Sequence, residues 1–257
     1  MSEPNPPPNS ATPEDANPNL AEQIVELSAL TGGLAHEIRN PLSTLKVNLQ
    51  LLDEDWRQIE SPPPGRPCDP QDVARRSRTR ITTLLKEANR LEQILYDFLQ
   101  YIGKHDLRLA THDLNVIASE LAEFYRPQAH AAGLELELTT SDSPVVCQVD
   151  ANHIKQAVLN LLINAQQAMP DGGTIRLRVG AAPDGAGRIE VTDSGPGIPE
   201  GQRSRIFEAY YSTKKGGTGL GLATTRRIIR EHGGTISADS PPGGGAVFTI
   251  TLPRADS

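Results

Sequence analysis

The chain has 257 residues, a net charge of −7, and 37% hydrophobic but only 4% aromatic residues. The acidic balance argues against a nucleic-acid footprint, which needs a basic face. The two cysteines, Cys68 and Cys147, are too far apart in sequence to suggest a Cys-x-x-Cys pair, a zinc site or a disulfide framework.

No apolar run approaches the roughly 18 residues of a membrane-spanning helix. The N-terminus has neither the basic nor the apolar region of a signal peptide, so a cytoplasmic protein is expected. Residues 1–18 carry six prolines among polar residues. Such a segment buries too little apolar surface to offset its ordering entropy, and a disordered tail over 1–19 is expected. A linker is the usual role of such a tract, with a docking peptide as the alternative.

From Leu20 the pattern turns helical. Apolar residues recur at Ile24, Leu27, Leu34, Ile38, Leu42, Leu45, Leu49 and Leu52, a heptad-like stripe ending near Ile59. Ser61-Pro62-Pro63-Pro64-Gly65 then forces a loop. A second stripe runs through Ile81, Leu84, Leu85, Ala88, Leu91, Leu95, Phe98 and Ile102. Two helices alone enclose no core, so this α-helical hairpin predicts dimerisation into a four-helix bundle.

Residues 104–112 read as a linker between a first domain over 20–103 and a second over 113–257. Asp113 predicts an N-cap for a helix through Tyr125. Strands are expected over Leu134–Leu138, Val145–Val149, Thr174–Val179, Arg188–Thr192, Gly234–Ala238 and Ala246–Leu252. Helices are expected from Asp150 to Met169 and from Leu220 to His232. The second half is therefore a two-layer α/β sandwich with helices on one face of a mixed sheet.

Within the first helix lies Leu34-Ala35-His36-Glu37-Ile38-Arg39-Asn40-Pro41-Leu42. Each helical residue turns about 100°, so His36 points away from the stripe residues Leu34 and Ile38. Asn40, one turn on, shares its face. Pro41 removes a backbone donor and is expected to bend the helix. An exposed imidazole can attack as a nucleophile if a carboxylate takes its other proton, and Glu37 is the candidate. The bland alternative is a solvated surface histidine, the reading given to His105, His112, His130, His153 and His232.

No P-loop is present. The glycine signals are Asp193-Ser194-Gly195-Pro196-Gly197 after a strand and Gly217-Thr218-Gly219-Leu220-Gly221 at a helix start. A carboxylate flanked by glycines can accept from an adenine amino group. Glycines at a helix start expose N–H groups to phosphate. Either stretch alone could be a turn; together they follow Asn160-Leu161-Leu162-Ile163-Asn164, whose two amides share a face of an apolar helix and need partners. A magnesium ion bridging phosphates would be one such partner.

The stretch from Ala35 to Leu42 resembles the H-box of sensor histidine kinases. The later motifs resemble the N, G1, F and G2 boxes of the ATPase domain shared by histidine kinases, gyrase, one class of chaperones and mismatch-repair proteins, the Bergerat fold. The likeness covers roughly Leu20 to Pro253. It implies autophosphorylation on His36 from ATP with magnesium, then transfer to an aspartate on the receiver domain of a response regulator. Glu37 would be the general base, and Asn40 would position water for dephosphorylating that partner. Asn164 would bind magnesium, with Asn160 near the phosphates. Asp193 would read adenine over Gly195 and Gly197, and Phe207 matches the F-box. Residues 209–218 would form the ATP lid, with Lys214 on phosphate beside Gly217, Thr218, Gly219, Leu220 and Gly221. The ATP domain would swing about the linker to reach His36.

Three departures stand out. Gln167 replaces a commonly basic residue, as in nitrogen-regulation-type kinases; Tyr210 and Tyr211 stand where Phe is common; and the lid is short. Lys214 and Lys215 also fit a merely solvated lid. The rival readings are a non-kinase ATPase, a serine kinase acting on anti-anti-sigma factors and a non-catalytic scaffold. The hairpin with its His-Glu pair argues against the first, and the second lacks a hairpin.

Overall fold

A computed structural model describes residues 18–61, 69–103, 106–182, 184–214 and 217–255, with side chains from residue 30 onward. The tail at 1–17, the loop prolines 62–64, Cys68, His105 and Lys215 lie outside the described residues. No helix among the described residues is long and apolar enough to cross a membrane. The chain divides into two compact units between Ala88 and Asn89.

The first unit holds helix α1 (Pro18–Glu60) and the start of α2 (Pro70–Ile102). Pro41 sits inside α1, which continues past it as one helix. The hydroxyls of Ser43 and Thr44 donate to the carbonyls of Arg39 and Asn40 at 2.9 and 3.3 Å. Near the hairpin's loop end, Asp55 is buried and pairs with Arg80 and with Arg76, the latter at 3.5 Å. A buried carboxylate is costly unless paired, so these arginines fix how the two helices meet. Periodicity carries no trace of this ion pair.

In the second unit, β1 (Ala110–Asp113) pairs antiparallel with β3 (Val146–Val149) in a small sheet. The main sheet has the order β2 (Leu134–Thr139), β4 (Gly173–Ala181), β5 (Gly187–Asp193), β7 (Val247–Leu252), β6 (Thr235–Asp239). Only the β2–β4 pair is parallel. Ile175, Leu177, Val179, Ile189, Val191, Phe248, Ile250 and Leu252 are buried on one face, alternating with exposed Arg176, Arg178 and Arg188. That period of two predicts a sheet covered on one side. Helices α3 (Leu114–Ala131), α4 (Ala151–Ala168) and α5 (Gly221–Glu231) supply the cover. Each buried Leu or Ile contributes roughly 1.5–3 kcal/mol.

Three differences from the sequence reading have physical causes. Strand β1 occupies the end of the segment read as linker; Ala-Thr-His-Asp shows no apolar alternation, and only pairing with β3 makes it a strand. Helix α3 runs past Tyr125 and through Pro127 to Ala131, where the lost backbone bond is offset by fully buried Ala129. His232 is not a surface histidine but buried: its Nε2 accepts from the Asp150 N–H at 3.0 Å, and its Nδ1 lies 2.7 Å from the Ile228 carbonyl. An acceptor Nε2 makes Nδ1 the donor, so the ring is neutral.

Candidate functional site

On α1, His36 and Asn40 are exposed, Glu37 is half-buried and Pro41 is buried. The helix therefore presents the imidazole and the amide outward one turn apart, as its geometry predicts.

The second unit contains a cavity of about 980 Å³. Helix α4 forms one wall. Its N-cap is Asp150, whose Oδ1 accepts from the N–H groups of Asn152 and His153 at 3.0 and 3.2 Å. Burial would raise the Asp150 pKa, but hydrogen bonds from the Arg108 N–H, the His153 N–H and the His153 ring outweigh it and hold it at about 2. With Ile154, Ala157, Val158, Leu161, Leu162 and Ala165 turned into the core, Asn160 and Asn164 fall on the cavity side. Asn160 Nδ2 donates to the Gly221 carbonyl at 3.2 Å and to Thr225 Oγ1 at 3.4 Å, tying α4 to the first turn of α5.

The floor is the end of β5. Buried Asp193 accepts at Oδ1 from the N–H groups of Gly195 and Ala246, at 2.9 and 3.1 Å. Two donors on one oxygen fix the carboxylate plane, and Oδ2 makes no hydrogen bond among the described residues. The Gly245 N–H donates to the Gly195 carbonyl at 2.7 Å, and Ser240 Oγ donates to the Gly245 carbonyl at 2.7 Å. Gly197 has φ +79°, and a Cβ there would lie 2.3 Å from Ser240 Oγ. Only glycine fits that turn.

Residues 211–214, 217–219 and 221 form the third wall. Gly219 has φ +68°, and a Cβ would lie 2.6 Å from the backbone of Tyr210, itself left-handed at φ 62°. The two backbones approach closely enough to exclude any side chain at 219. Lys214 Nζ donates to the Asn164 carbonyl at 3.2 Å, to Gln167 Oε1 at 3.1 Å and to Asn164 Oδ1. Burial pushes its ammonium below the ordinary lysine range, and the charge of Asp193 opposes that shift. Three protein oxygens gathered around one cationic nitrogen form a donor set suited to a hard cation.

The structure thus brings Asn160, Asn164, Asp193, Gly197, Lys214, Gly217, Thr218, Gly219 and Gly221 to one cavity. Gly195, Phe207 and Leu220 are not on its wall. Phe207 packs edge-to-face on Phe248 with centroids 6.4 Å apart, and Ile206 faces the cavity instead. Leu220 is fully buried. Sequence reasoning missed Gln93, Asp97, Gln202 and Ser240 on the wall. For Ser240 a signal existed in the run Gly243-Gly244-Gly245 between two strands; for the others none did.

The family model of the histidine kinase-, DNA gyrase B- and HSP90-like ATPases matches residues 149–256. That of the His kinase A phospho-acceptor domain matches residues 26–102. The sensor histidine kinase ZraS of Klebsiella oxytoca is 36% identical over 234 residues, 90% of this chain and 47% of its own. The signal transduction histidine-protein kinase AtoS of Escherichia coli strain K12 is 32% identical over 91% of this chain and 36% of its own. The chain spans about half the length of ZraS and less of AtoS. The histidine kinase ThkA, solved in complex with the response regulator protein TrrA, superposes with a TM-score of 0.71 at 26% identity, covering 91% of this chain and 64% of that one. Full-length ShkA in complex with AMPPNP gives 0.61 at 31% identity, covering 70% of this chain and 39% of that one.

Proposed function

Given that this chain belongs to the sensor histidine kinases of two-component signalling, we propose that it phosphorylates itself on His36 from ATP and passes the phosphoryl group to an aspartate of a response regulator. The observation that carries this reading is the convergence of Asp193, Asn164 and the Gly217–Gly221 loop on one cavity, in a chain that also presents an exposed His36 followed by half-buried Glu37 on a helix. Asp193 Oδ2 accepts the adenine amino group. The N–H groups of the loop and the Lys214 ammonium take the phosphates. An imidazole nitrogen of His36 attacks the γ-phosphorus, the bond to the β-phosphate oxygen breaks, and Glu37 receives the imidazole proton. Asn164 and its neighbouring oxygens fit magnesium, which when bound neutralises phosphate charge.

The same reading assigns 20–103 to the histidine-bearing domain, 104–112 to the linker and 113–257 to ATP binding. Leu42, Leu49, Ile81 and Leu85 are 47–61% exposed in the single chain. Half-exposed stripe residues on both helices support a homodimer. Gln167 and the H-box support a nitrogen-regulation-like subgroup. Asn40, exposed beside His36, supports a phosphatase activity toward the regulator.

The test is incubation with γ-labelled ATP. Acid-labile label should appear on wild type and vanish in His36→Gln; label persisting in that variant would falsify the assignment. Asn164→Ala should lose labelling while keeping its oligomeric state.

A further inference from the structure

The last turns of α2, from Asn89, belong to the same compact unit as the cavity. Asp97 of this stretch lines the cavity beside Thr218 of the glycine loop. Asp97 Oδ2 accepts from Thr218 Oγ1 at 2.7 Å, and Oδ1 accepts from Gln93 Nε2 at 2.7 Å. Two further contacts anchor the same end of α2. Gln156 Nε2 donates to Gln100 Oε1 at 2.9 Å, and Arg227 donates to the carbonyls of Tyr101 and Gly103, the latter at 2.8 Å.

A hydroxyl has one proton to donate. The Thr218 oxygen already accepts from the Leu220 N–H at 3.4 Å, and its proton goes to Asp97. A phosphate oxygen arriving at the loop needs that same proton. It also brings negative charge to a wall that carries a carboxylate, and like charges at close range raise each other's free energy. The two acceptors cannot both be served.

We propose that Asp97 competes with the nucleotide phosphates for the hydroxyl of Thr218, so that filling the site releases the end of α2 from the glycine loop. The inference rests on the reading of the cavity as the ATP site. Asp97 touches the loop and not the reacting atoms, so it sets affinity and coupling, and it takes no part in bond making. The contacts of Gln100 and Arg227 lie outside the cavity wall, which makes the exchange at Thr218 the step that ATP controls.

The test is calorimetric binding of AMP-PNP with magnesium to the full chain. Asp97→Ala should tighten the dissociation constant about 3- to 10-fold, the scale of one lost competing hydrogen bond. In a Thr218→Val background, adding Asp97→Ala should change it by less than about twofold, because the shared hydroxyl is gone. Where Asp97→Ala lowers the melting temperature, isosteric Asp97→Asn carries the comparison and should also tighten binding. In wild type, amides of residues 93–103 should exchange faster once AMP-PNP is bound. Unchanged or weaker binding by the Asp97 variants overturns the proposal. So does tightening that persists without the hydroxyl, or exchange that ignores nucleotide. Wild type that fails to bind AMP-PNP overturns the ATP-site reading and this proposal with it; wild type that binds, with Asp97 variants that bind no better, overturns only the competition.

Discussion

Lys214 Nζ stands 3.1 Å from Gln167 Oε1, so the residue at 167 contributes an oxygen that holds a cation from across the cavity. The charge that Gln167 does not carry is thus supplied by the loop. Lys214→Met is expected to weaken AMP-PNP binding by about tenfold, the scale of a lost charge-assisted hydrogen bond. Because burial lowers the Lys214 pKa, its ammonium is lost as pH rises through a value below the ordinary lysine range. Labelling should therefore decline on the alkaline side before ordinary lysines titrate, and Lys214→Arg should move that limb to higher pH. A pH profile of initial labelling rates checks both statements.

Gly219→Ala forces a Cβ to within 2.6 Å of the Tyr210 backbone at a left-handed φ. The loop must shift, and nucleotide affinity should fall on the order of tenfold or more. Because the change is confined to the cavity wall, the melting temperature without nucleotide should move little. Wild-type affinity in this variant would show that the Tyr210–Gly219 approach does not shape the site.

Asp150 joins the N-cap of α4 to the Arg108 backbone and to His153. Its pKa is depressed from 3.8 to about 2. The stabilisation it contributes is therefore complete above pH 3.8 and is lost as pH falls toward 2. Asp150→Ala should cost about 1–2 kcal/mol at neutral pH. It should also flatten the dependence of stability on pH between about 4 and 2. Urea titrations at several pH values read both effects.

Asn40→Ala removes the exposed amide one turn from His36 and leaves the imidazole and Glu37 in place. Labelling of His36 should stay within about twofold, while removal of phosphate from the regulator slows about tenfold or more. A variant equally slowed in both reactions would show that Asn40 serves the histidine itself.

Leu85 is 61% exposed in the single chain. If it sits in a seam between two copies, Leu85→Glu buries an unpaired charge there. Light scattering should then report a monomer where wild type is a dimer. An unchanged mass would place the dimer interface elsewhere.

Much of this protein is legible in its sequence. The strands of the main sheet were readable from apolar residues that alternate, and α4 from Asp150 followed by an apolar stripe. The outward placement of His36 and Asn40 follows from helix geometry. What stayed hidden were contacts between positions far apart in the chain. The neutral, buried state of His232 depends on the Asp150 N–H, 82 residues away. The ion pair of Asp55 with Arg76 and Arg80, the reach of Lys214 to Asn164 and the hold of Asp97 on Thr218 are of the same kind.

The division has a physical reason. Helix and strand periods, caps and glycine turns are local, because the backbone and its near neighbours set them within a few residues. By themselves they determined the hairpin, the layered α/β half and most of the cavity's residue set. Which side chains meet across the cavity depends on how α2, α4 and the glycine loop pack, and a distance of 2.7 Å between residues 121 apart is a property of that packing alone.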